Sequence, residues 1–285
     1  MVLIDTQTNL DQELKVAKKL AIAAGEIILE HYSQKISVQF KDVSKSDPVT
    51  QADKDANQLI VNGLIAEFPH DAILAEESPQ SDERYSRYRL WCVDPLDGTR
   101  EFIERNGQFA VMIGLAIYGK ATLGVVYHPT SATLYWGVKS QAFRQHKDEH
   151  PVALSSTKNT DLKQARIMVS RSHRSQSVSR VIKTLGITKI EPHGSVGLKV
   201  VRIAEGSADV YLSLSNKTQE WDACASEAII TAAGGCMTDA LGKPLLYNKT
   251  VPNTPHGMLA TNSLLHKRCV DAVIPLAQER NWYSE

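Results

Sequence analysis

The chain lacks the features typical of secreted, membrane-spanning and zinc-binding proteins. Its four cysteines (Cys92, Cys224, Cys236 and Cys269) are widely spaced and form no C-x-x-C pair, so we expect reduced thiols. No apolar run approaches the length of a transmembrane span. The first residues also lack the basic and long apolar regions of a secretory signal. These absences predict a cytoplasmic protein without membrane contact.

An excess of one charge sign is also lacking, because 32 Lys and Arg residues balance 32 Asp and Glu residues. We therefore expect no binding of polymeric nucleic acid, and any anion site must be local. The 285 residues are 42% hydrophobic and 22% charged, which is typical of a globular protein with a sizeable core. This length predicts one large domain or two moderate ones.

Hydrophobic periodicity predicts helices and sheets in both halves of the chain. In the first half we predict helices over residues 10–32 and 51–68, with an irregular polar segment (38–50) between them. Strands follow at 72–75 and 89–93, and an antiparallel meander at 109–118, 122–127 and 134–138. In the second half we predict strands at 166–169, 187–190, 209–214 and 258–260, and helices at 175–185, 196–205, 222–233 and 264–276.

These elements predict an α+β fold with a mixed sheet in the second half. The polar stretch from Gln145 to His150 is a plausible link between the halves. We therefore predict an N-terminal α+β half over residues 1–150 and a C-terminal α/β half over residues 151–285.

The run from Trp91 to Thr99 carries the most chemical information. An apolar strand ends there at Asp94 and Asp97, and Gly98 and Thr99 follow. Carboxylate oxygens are hard ligands that suit Mg²⁺, and Gly-Thr offers backbone N–H groups to an anion. A plain turn is the alternative, because Asp and Gly are common turn residues.

Three other acidic positions lie at element ends, where functional groups are often placed. Glu76 and Glu77 follow the strand at 72–75, and their carboxylates could share a metal with Asp94 if the two strands are neighbours. The alternative is a solvated pair. Asp222 could complete the cluster or simply be an N-cap, and Asp53 fits a capping box with Thr50, which by itself indicates a structural role.

Basic and hydroxyl residues near element ends could bind phosphate. Arg100 and Arg105 follow the acidic run, where a solvated helix face is the alternative. Ser170, Arg171, Ser172 and His173 end a predicted strand, and Gly194, Ser195 and Lys199 lie at a predicted helix start, which suits an anion.

Together these motifs resemble the metal-dependent, lithium-sensitive phosphatases of the inositol monophosphatase superfamily. The signature W-x-x-D-P-[ILV]-D-G-[ST] is met by residues 91–99, the paired glutamates by 76–77, and V-T-x-A-D by 49–53. The signature W-D-x-[AS]-[AG] is approximated by residues 221–225, with Cys224 in place of Ala and Ser226 in place of Gly. The resemblance implies a layered αβαβα sandwich of the sugar-phosphatase type and, by analogy, a possible homodimer.

The resemblance also implies roles for individual residues. Two to three Mg²⁺ ions would be held by Glu76, Asp94, the Leu96 carbonyl, Asp97 and Asp222. Asp53, with Glu76, would position a third metal or its water, so Asp53, Glu76 and Thr99 would be catalytic. The substrate would contact the Gly98 and Thr99 N–H groups and the residues Arg171, His173, Gly194, Ser195, Lys199 and Asp222.

Within the superfamily the chain is most similar to the 3′(2′),5′-bisphosphate nucleotidases. The similarity lies in residues 94–107, 123–127, 169–173 and 194–206. Ser215 stands where inositol monophosphatases carry an acidic residue that grips inositol hydroxyls. The implied reaction is release of the 3′-phosphate of adenosine 3′,5′-bisphosphate (PAP) by a metal-activated water, with a small phosphorylated metabolite as the partner.

Two alternatives remain, and a third is disfavoured. An inositol-1-phosphate, sugar phosphate or histidinol phosphate phosphatase of the same superfamily would use the same site. A non-catalytic metal- and phosphate-binding regulatory protein is the alternative from another class. The D-x-x-D spacing of Asp94 and Asp97 argues against a haloacid-dehalogenase phosphatase, whose carboxylates are spaced D-x-D.

Overall fold

The computed structural model of the protein describes residues 9–41, 48–172 and 175–280. The predicted α+β class and layered sandwich are confirmed, with two large sheets and helices on both sides of each. The helices are α1 (Asp11–Ser33), α2 (Gln51–Glu67), α3 (Thr99–Ile103), α4 (Gln176–Leu185), α5 (Val196–Ala204), α6 (Glu220–Ala232) and α7 (His266–Glu279). None of the helices in the described part of the chain is long and apolar enough to cross a bilayer.

The first sheet has seven strands in the order β3-β4-β5-β6-β7-β8-β9. Its strands are β3 (Ala72–Ala75), β4 (Arg89–Asp97), β5 (Ala110–Ile117), β6 (Lys120–His128), β7 (Thr133–Val138), β8 (Gln141–His146) and β9 (Val152–Ala153). The predicted meander is its antiparallel centre, whereas the edge pair β3–β4 is parallel. The predicted link at 145–150 is wrong in its first residues, because β8 continues to His146, and β9 extends the same sheet to Ala153.

The second sheet is mixed, as predicted, with the order β11-β10-β12-β14-β13. Its strands are β10 (Arg166–Ser170), β11 (Lys189–His193), β12 (Val210–Ser213), β13 (Cys236–Thr238) and β14 (Met258–Thr261). The strand predicted at 187–190 corresponds to β11, which begins two residues later and ends three residues later than predicted. Strand β13 was not predicted. The small hairpin of β1 (Val38–Phe40) and β2 (Pro48–Thr50) also corrects the predicted irregular segment.

Three apolar clusters fill the spaces between the helical layers and the two sheets, and the largest of them packs α5 and α6 against both sheets. Successive residues of β4 point to opposite faces, so Trp91 and Val93 pack against α1 and α2, while Leu90 and Cys92 face α5 and α6. The second sheet shares that central layer through one face and packs on α4 and α7 through the other. All four cysteines are free, as predicted.

Helix α6 lies unusually close to the first sheet. A Cβ atom added at Gly124 would lie 2.0 Å from the Ala225 carbonyl oxygen, and one at Gly114 would lie 2.6 Å from the Ala225 nitrogen. Only glycine permits this approach of two backbones. The contact brings the start of α6, which carries Asp222, to the first sheet, although α6 comes from the second half of the sequence.

Candidate active site

The paired strands β3 and β4 bring the first acidic residues together. The strands are parallel, with Ala75 opposite Val93, and the Glu76 N–H donates to the Val93 carbonyl at 3.0 Å. Glu76 and Asp94 therefore leave the sheet side by side, as the sequence predicts for neighbouring strands. The pairing of β4 with β5 is irregular between Asp94 and Asp97, which brings both aspartates to the end of one strand.

Gly98 provides the sharp turn from β4 into α3. Its φ of 102° lies in the left-handed region, and a Cβ atom there would meet the Gln108 carbonyl at 3.0 Å. The Asp94 Oδ1 atom accepts the Leu96 N–H at 3.0 Å, which fixes the turn from the other side. The carboxylates, the Leu96 carbonyl and the first N–H groups of α3 consequently lie in one short segment.

Asp53 has the structural position that its capping-box context predicts and also the site-facing position that the family resemblance implies. Its Oδ2 atom accepts the Thr50 N–H at 2.8 Å and the Thr50 hydroxyl at 2.6 Å, as a capping residue does. Its Oδ1 atom accepts the Thr99 hydroxyl at 3.0 Å. Burial raises the pKa of Asp53 to about 6, although the Thr50 and Thr99 bonds oppose the rise.

Asp222 is the third residue of α6 and not its N-cap, so the alternative interpretation of Asp222 as an N-cap is wrong. Gln219 is the capping residue, and its N–H donates to the Asp222 Oδ2 atom at 2.7 Å. Desolvation and the charges of Glu76 and Asp97 raise the pKa of Asp222 well above its usual value. The pKa of Asp94 is raised in the same way, by desolvation and then by Glu76, Asp97 and Asp222.

The raised pKa values of Asp94 and Asp222 indicate a cluster of carboxylates whose negative charges are not fully balanced by nearby positive groups. A nearby carboxylate disfavours ionisation of its neighbour, and desolvation adds to that penalty. Desolvation also raises the pKa of Glu76 to about 7, even though Lys41 lies beside it. A bound cation would relieve this repulsion.

The cluster is not arranged as a finished metal cage. Within residues 9–41, 48–172 and 175–280, no three or more His, Cys, Asp or Glu side chains have an arrangement that could hold an ion. Instead the Lys41 ammonium donates to Glu76 Oε1 at 2.7 Å and also contacts Glu77. Glu76 and Glu77 are therefore not the solvated pair of the alternative interpretation, since a cation already lies against them.

The donor set nevertheless fits a hard divalent cation. All the grouped donors are oxygens (four carboxylates and the Leu96 carbonyl), and their summed charge is strongly negative. Mg²⁺ and Ca²⁺ prefer this chemistry, whereas softer metals prefer sulfur and imidazole. The Lys41 ammonium already lies against one of these carboxylates, that of Glu76.

Asp97 joins the two halves of the protein. Its Oδ2 atom accepts the Ser195 hydroxyl at 2.5 Å and the Gly197 N–H at 2.7 Å. Ser195 has a φ of 51°, and its hydroxyl oxygen accepts the Leu198 N–H at 3.0 Å. The N-terminus of α5 is thereby fixed against the end of β4.

Lys199 is a buried cation beside this junction. Its ammonium donates to the Ser195 carbonyl at 2.5 Å and is only 3% exposed. Desolvation lowers its pKa to about 8, although Asp97, Glu101 and Asp222 oppose the change.

A cleft of about 250 Å³ collects most of the predicted site residues. Its walls include Glu76, Asp94, Leu96, Asp97, Gly98, Thr99, Gly194, Ser195, Lys199 and Asp222. Asp53 reaches the cleft through its bond to Thr99. Arg100, Ser170 and Ser172 also line it.

Three predicted anion contacts have different outcomes. Arg171 is exposed and does not line the cleft. Arg105, which could bind phosphate or lie on a solvated helix face, does not line the cleft, and its guanidinium donates to the Tyr32 and Gln34 carbonyls after a left-handed turn (φ 56°). His173 lies outside the described residues.

The sequence prediction does not include Lys41 or Glu101. Glu101 is buried, lines the cleft and accepts the Ser172 hydroxyl at 2.7 Å. It also explains Gly194, since a Cβ atom there would lie 2.3 Å from the Glu101 Cγ atom. Glu101 could have been predicted as a site residue, because it lies in the first turn after the acidic run. Lys41 lies in a segment without hydrophobic periodicity, so no sequence pattern indicates its place in the site.

Comparison with known proteins agrees with this architecture. The chain is 36% identical to the 3′(2′),5′-bisphosphate nucleotidase CysQ of Salmonella typhimurium over 233 residues, which cover 80% of this chain and 91% of that protein. It is similar to the crystal structure of CysQ from Bacteroides thetaiotaomicron (TM-score 0.75, 32% identity, 90% of this chain and 99% of that one). An inositol monophosphatase from Anabaena has a TM-score of 0.76 at 26% identity, covering 94% of this chain and 97% of that one. The model of the inositol monophosphatase family matches residues 9–277, and the chain therefore belongs to this family.

Proposed function

We propose that the protein is a Mg²⁺-dependent phosphomonoesterase that removes the 3′-phosphate of PAP to give AMP. The observation that carries the proposal is the convergence of Glu76, Asp94, Asp97 and Asp222 on one cleft beside the Gly98–Thr99 turn. The similarity to curated bisphosphate nucleotidases, at about 35% identity over most of the chain, supports the choice of substrate.

The proposed metal ligands are Glu76, Asp94, the Leu96 carbonyl, Asp97 and Asp222. Bound Mg²⁺ would neutralise the phosphate and leaving oxygens and lower the pKa of water. The carboxylates themselves are well suited to this task, because each of the three aspartates has one oxygen already fixed by a protein donor. Such bonds orient a ligand before the ion arrives.

Thr99 and Asp53 form the proposed water-positioning pair. The Thr99 hydroxyl donates to Asp53 Oδ1 at 3.0 Å, so its oxygen lone pairs remain directed toward other donors. A water in the cleft can donate to that oxygen and be oriented for in-line attack on phosphorus. With its pKa at about 6, Asp53 is mostly ionised at neutral pH and can stabilise a proton held by the Thr99–water pair.

The phosphate would lie against the Gly98 and Thr99 N–H groups at the start of α3. Gly98 has no side chain to block that approach, and its left-handed backbone opens the turn toward the cleft. Gly194, Ser195 and Lys199 also line the cleft. The Lys199 ammonium lies beside the acidic cluster and adds positive charge near the place of an anionic ester.

Nucleotide specificity is the second part of the proposal. Ser215 is exposed and has no carboxylate with which to bind inositol hydroxyls. Arg100 and Lys199 line the cleft, and a substrate with a second phosphate gives them a further group to bind.

Steady-state kinetics with several phosphate esters tests this function. The purified protein in Mg²⁺ should have a higher kcat/KM for PAP than for inositol 1-phosphate, fructose 1,6-bisphosphate or histidinol phosphate. Asp94→Asn should abolish turnover of all of them, and EDTA should do so reversibly. If PAP were the poorest substrate the nucleotidase proposal would be refuted, and Mg²⁺ binding without turnover of any ester would favour the regulatory alternative.

A further inference from the structure

Glu220 is a buried carboxylate that the proposed mechanism does not use. It is the first residue of α6, two residues before Asp222, and it is only 1% exposed. A glutamate is almost never this deeply buried unless it is paired or hydrogen-bonded, because removing the carboxylate from water is costly. The partners of Glu220 therefore indicate what the residue does.

Both carboxylate oxygens of Glu220 bind one turn of the chain. The Oε2 atom accepts the Asn248 N–H at 2.7 Å, and the Oε1 atom accepts the Lys249 N–H at 3.0 Å. We call these two residues the Asn248 turn. The φ of Asn248 is 70°, a left-handed conformation in which successive N–H groups can converge on one anion. Glu220 is that anion.

The other side of the Asn248 turn is bonded to Arg84. The Arg84 guanidinium donates to the Asn248 Oδ1 atom and to the Lys249 carbonyl, each at 2.8 Å, and the Asn248 Nδ2 atom donates to the Arg84 carbonyl at 2.9 Å. The turn lies in the connection from β13 to β14, which spans residues 239–257 and forms no helix or strand among these described residues. Connections of more than about 15 residues without such elements are uncommon in compact domains. Bonds on both sides of the turn fix this one against α6.

The same connection also pairs with the backbone at the start of α6. Residues 218–220 and residues 252–254 are joined by two N–H···O bonds of 2.8 Å and by an antiparallel bridge. Within this pair, the Gln219 N–H is the donor that fixes the Asp222 Oδ2 atom at 2.7 Å. The bonds from Glu220 to the Asn248 turn therefore stabilise the backbone that orients Asp222.

We propose that Glu220 is a positioning residue for the metal ligand Asp222. Glu220 itself does not line the cleft, so it acts through the Asn248 turn and the paired backbone segments. A carboxylate in the first turn of a helix also favours the helix dipole, but that effect requires neither burial nor contact with a turn. The proposal rests on the proposed metal-dependent function and adds to it a residue that determines how tightly the ion binds.

Calorimetric titration of the full-length protein with Mg²⁺ tests the proposal, because it measures affinity without turnover. Glu220→Gln keeps the shape of the side chain but directs an NH₂ group at one of the two N–H donors, so the Asn248 turn should loosen. We expect the Kd for Mg²⁺ to rise about tenfold, as for other residues that orient metal ligands. Turnover of PAP should need more Mg²⁺ to reach half its maximum, whereas kcat at saturating Mg²⁺ should approach that of the wild type.

Asp209→Asn is the matched control for the loss of a buried carboxylate. Asp209 is 2% exposed and accepts the Arg166 N–H at 2.8 Å and the Thr157 hydroxyl at 2.6 Å, but it does not line the cleft. The variant should lose stability, measured by urea unfolding in EDTA, without a change in the Kd for Mg²⁺. Thr254→Val is a milder second variant, since it removes only the hydroxyl bond to the Thr218 carbonyl (3.1 Å), and it should raise the Kd by a smaller factor.

The outcomes separate the positioning role from the proposed function. An unchanged Kd in Glu220→Gln, or an equal rise in Asp209→Asn, would refute the positioning role. If Glu220→Gln does not fold, an unchanged Kd in Thr254→Val refutes it instead. A wild-type protein that binds Mg²⁺ but does not turn over PAP would refute the nucleotidase proposal and leave the role of Glu220 intact, whereas a wild-type protein that binds no Mg²⁺ would refute both.

Discussion

The carboxyl group of Glu227 offers a test of the electrostatics away from the catalytic cleft. Glu227 lies in the middle of α6 and accepts a short hydrogen bond from the Tyr247 hydroxyl. Desolvation raises its pKa from 4.5 to about 7, and the Tyr247 bond only partly opposes this rise. The pKa of the Glu227 carboxyl is therefore close to neutral pH, and this residue lies in the same helix as Asp222.

The sign of the resulting pH dependence follows from linkage. A raised pKa means that the folded protein binds the proton more tightly than the unfolded chain does, so the unfolded chain ionises first. The stability that this proton contributes is fully present below pH 4.5 and is lost as the pH rises to about 7. At 1.36 kcal/mol per pKa unit, the full difference is about 3 kcal/mol. The side chain keeps some solvent contact, so we expect about 1 to 3 kcal/mol after screening.

The substitution Glu227→Gln removes the ionisation and keeps an acceptor for Tyr247. We expect the variant to unfold with a free energy higher than that of the wild type by about 1 to 3 kcal/mol at pH 8, with the difference vanishing near pH 4.5. Urea unfolding in EDTA at several pH values measures it, and every other titrating group is common to both proteins. Tyr247→Phe is the matched control, because it removes the donor and should lose more stability at pH 8 than at pH 5. A difference between wild type and Glu227→Gln that does not change with pH would refute the assignment.

Three further substitutions test the site and its support. Asp53→Asn retains one side-chain oxygen as an acceptor for the Thr50 N–H, so the thermal midpoint should be unchanged or higher, whereas kcat should fall about 10- to 100-fold, as for other groups that orient a metal site. A fall in kcat of less than tenfold would contradict the proposed pairing with Thr99. Lys41→Met should lower stability by about 1 to 2 kcal/mol in EDTA but much less in saturating Mg²⁺, and equal losses by calorimetry in both conditions would show that the lysine does not compensate the acidic cluster. Gly124→Ala places a methyl group 2.0 Å from a carbonyl oxygen of α6, so urea unfolding should show a loss of about 3 kcal/mol or more, and a loss below 1 kcal/mol would contradict the close approach.

The parts of the fold with a long, regular period were predictable from the sequence. Helices α1 and α2 lie within one residue of their predicted bounds, because each buries a stripe at helical spacing over at least four turns. The strands β5 to β7 lie within two residues of their predicted bounds, because each has an apolar run of five or more residues. The start of β4 is also correct, but this strand continues four residues past its predicted end, to Asp97. The hairpin of β1 and β2 was missed because each strand has three residues, too few to show alternation.

The site was predictable where local geometry determines it. Parallel pairing of β3 and β4 necessarily brings Glu76 beside Asp94. By contrast, the approach of α6 depends on glycines in the first sheet and on backbone contacts over more than 100 residues of sequence. Without the family resemblance, the position of Asp222 at a helix start made it a candidate for the cluster but did not distinguish it from an N-cap. The placement of Arg105 also depends on tertiary contacts, since its backbone is left-handed and its side chain donates to a carbonyl at the end of α1.

The structural and functional interpretations of the aspartates turn out to be compatible, and the reason is chemical. A carboxylate has two oxygens, and in Asp53, Asp94 and Asp222 one of them accepts an N–H donor from a residue two or three positions away in sequence. That bond is what makes each sequence resemble a cap or a turn. It also holds the side chain in a single rotamer, which lowers the conformational entropy lost when a ligand binds. Local pattern alone therefore cannot separate a capping aspartate from a metal ligand, because a well-positioned ligand is built from the same cap. What separates them is the direction of the second oxygen, and that is set by the convergence of strands and helices that lie far apart in sequence.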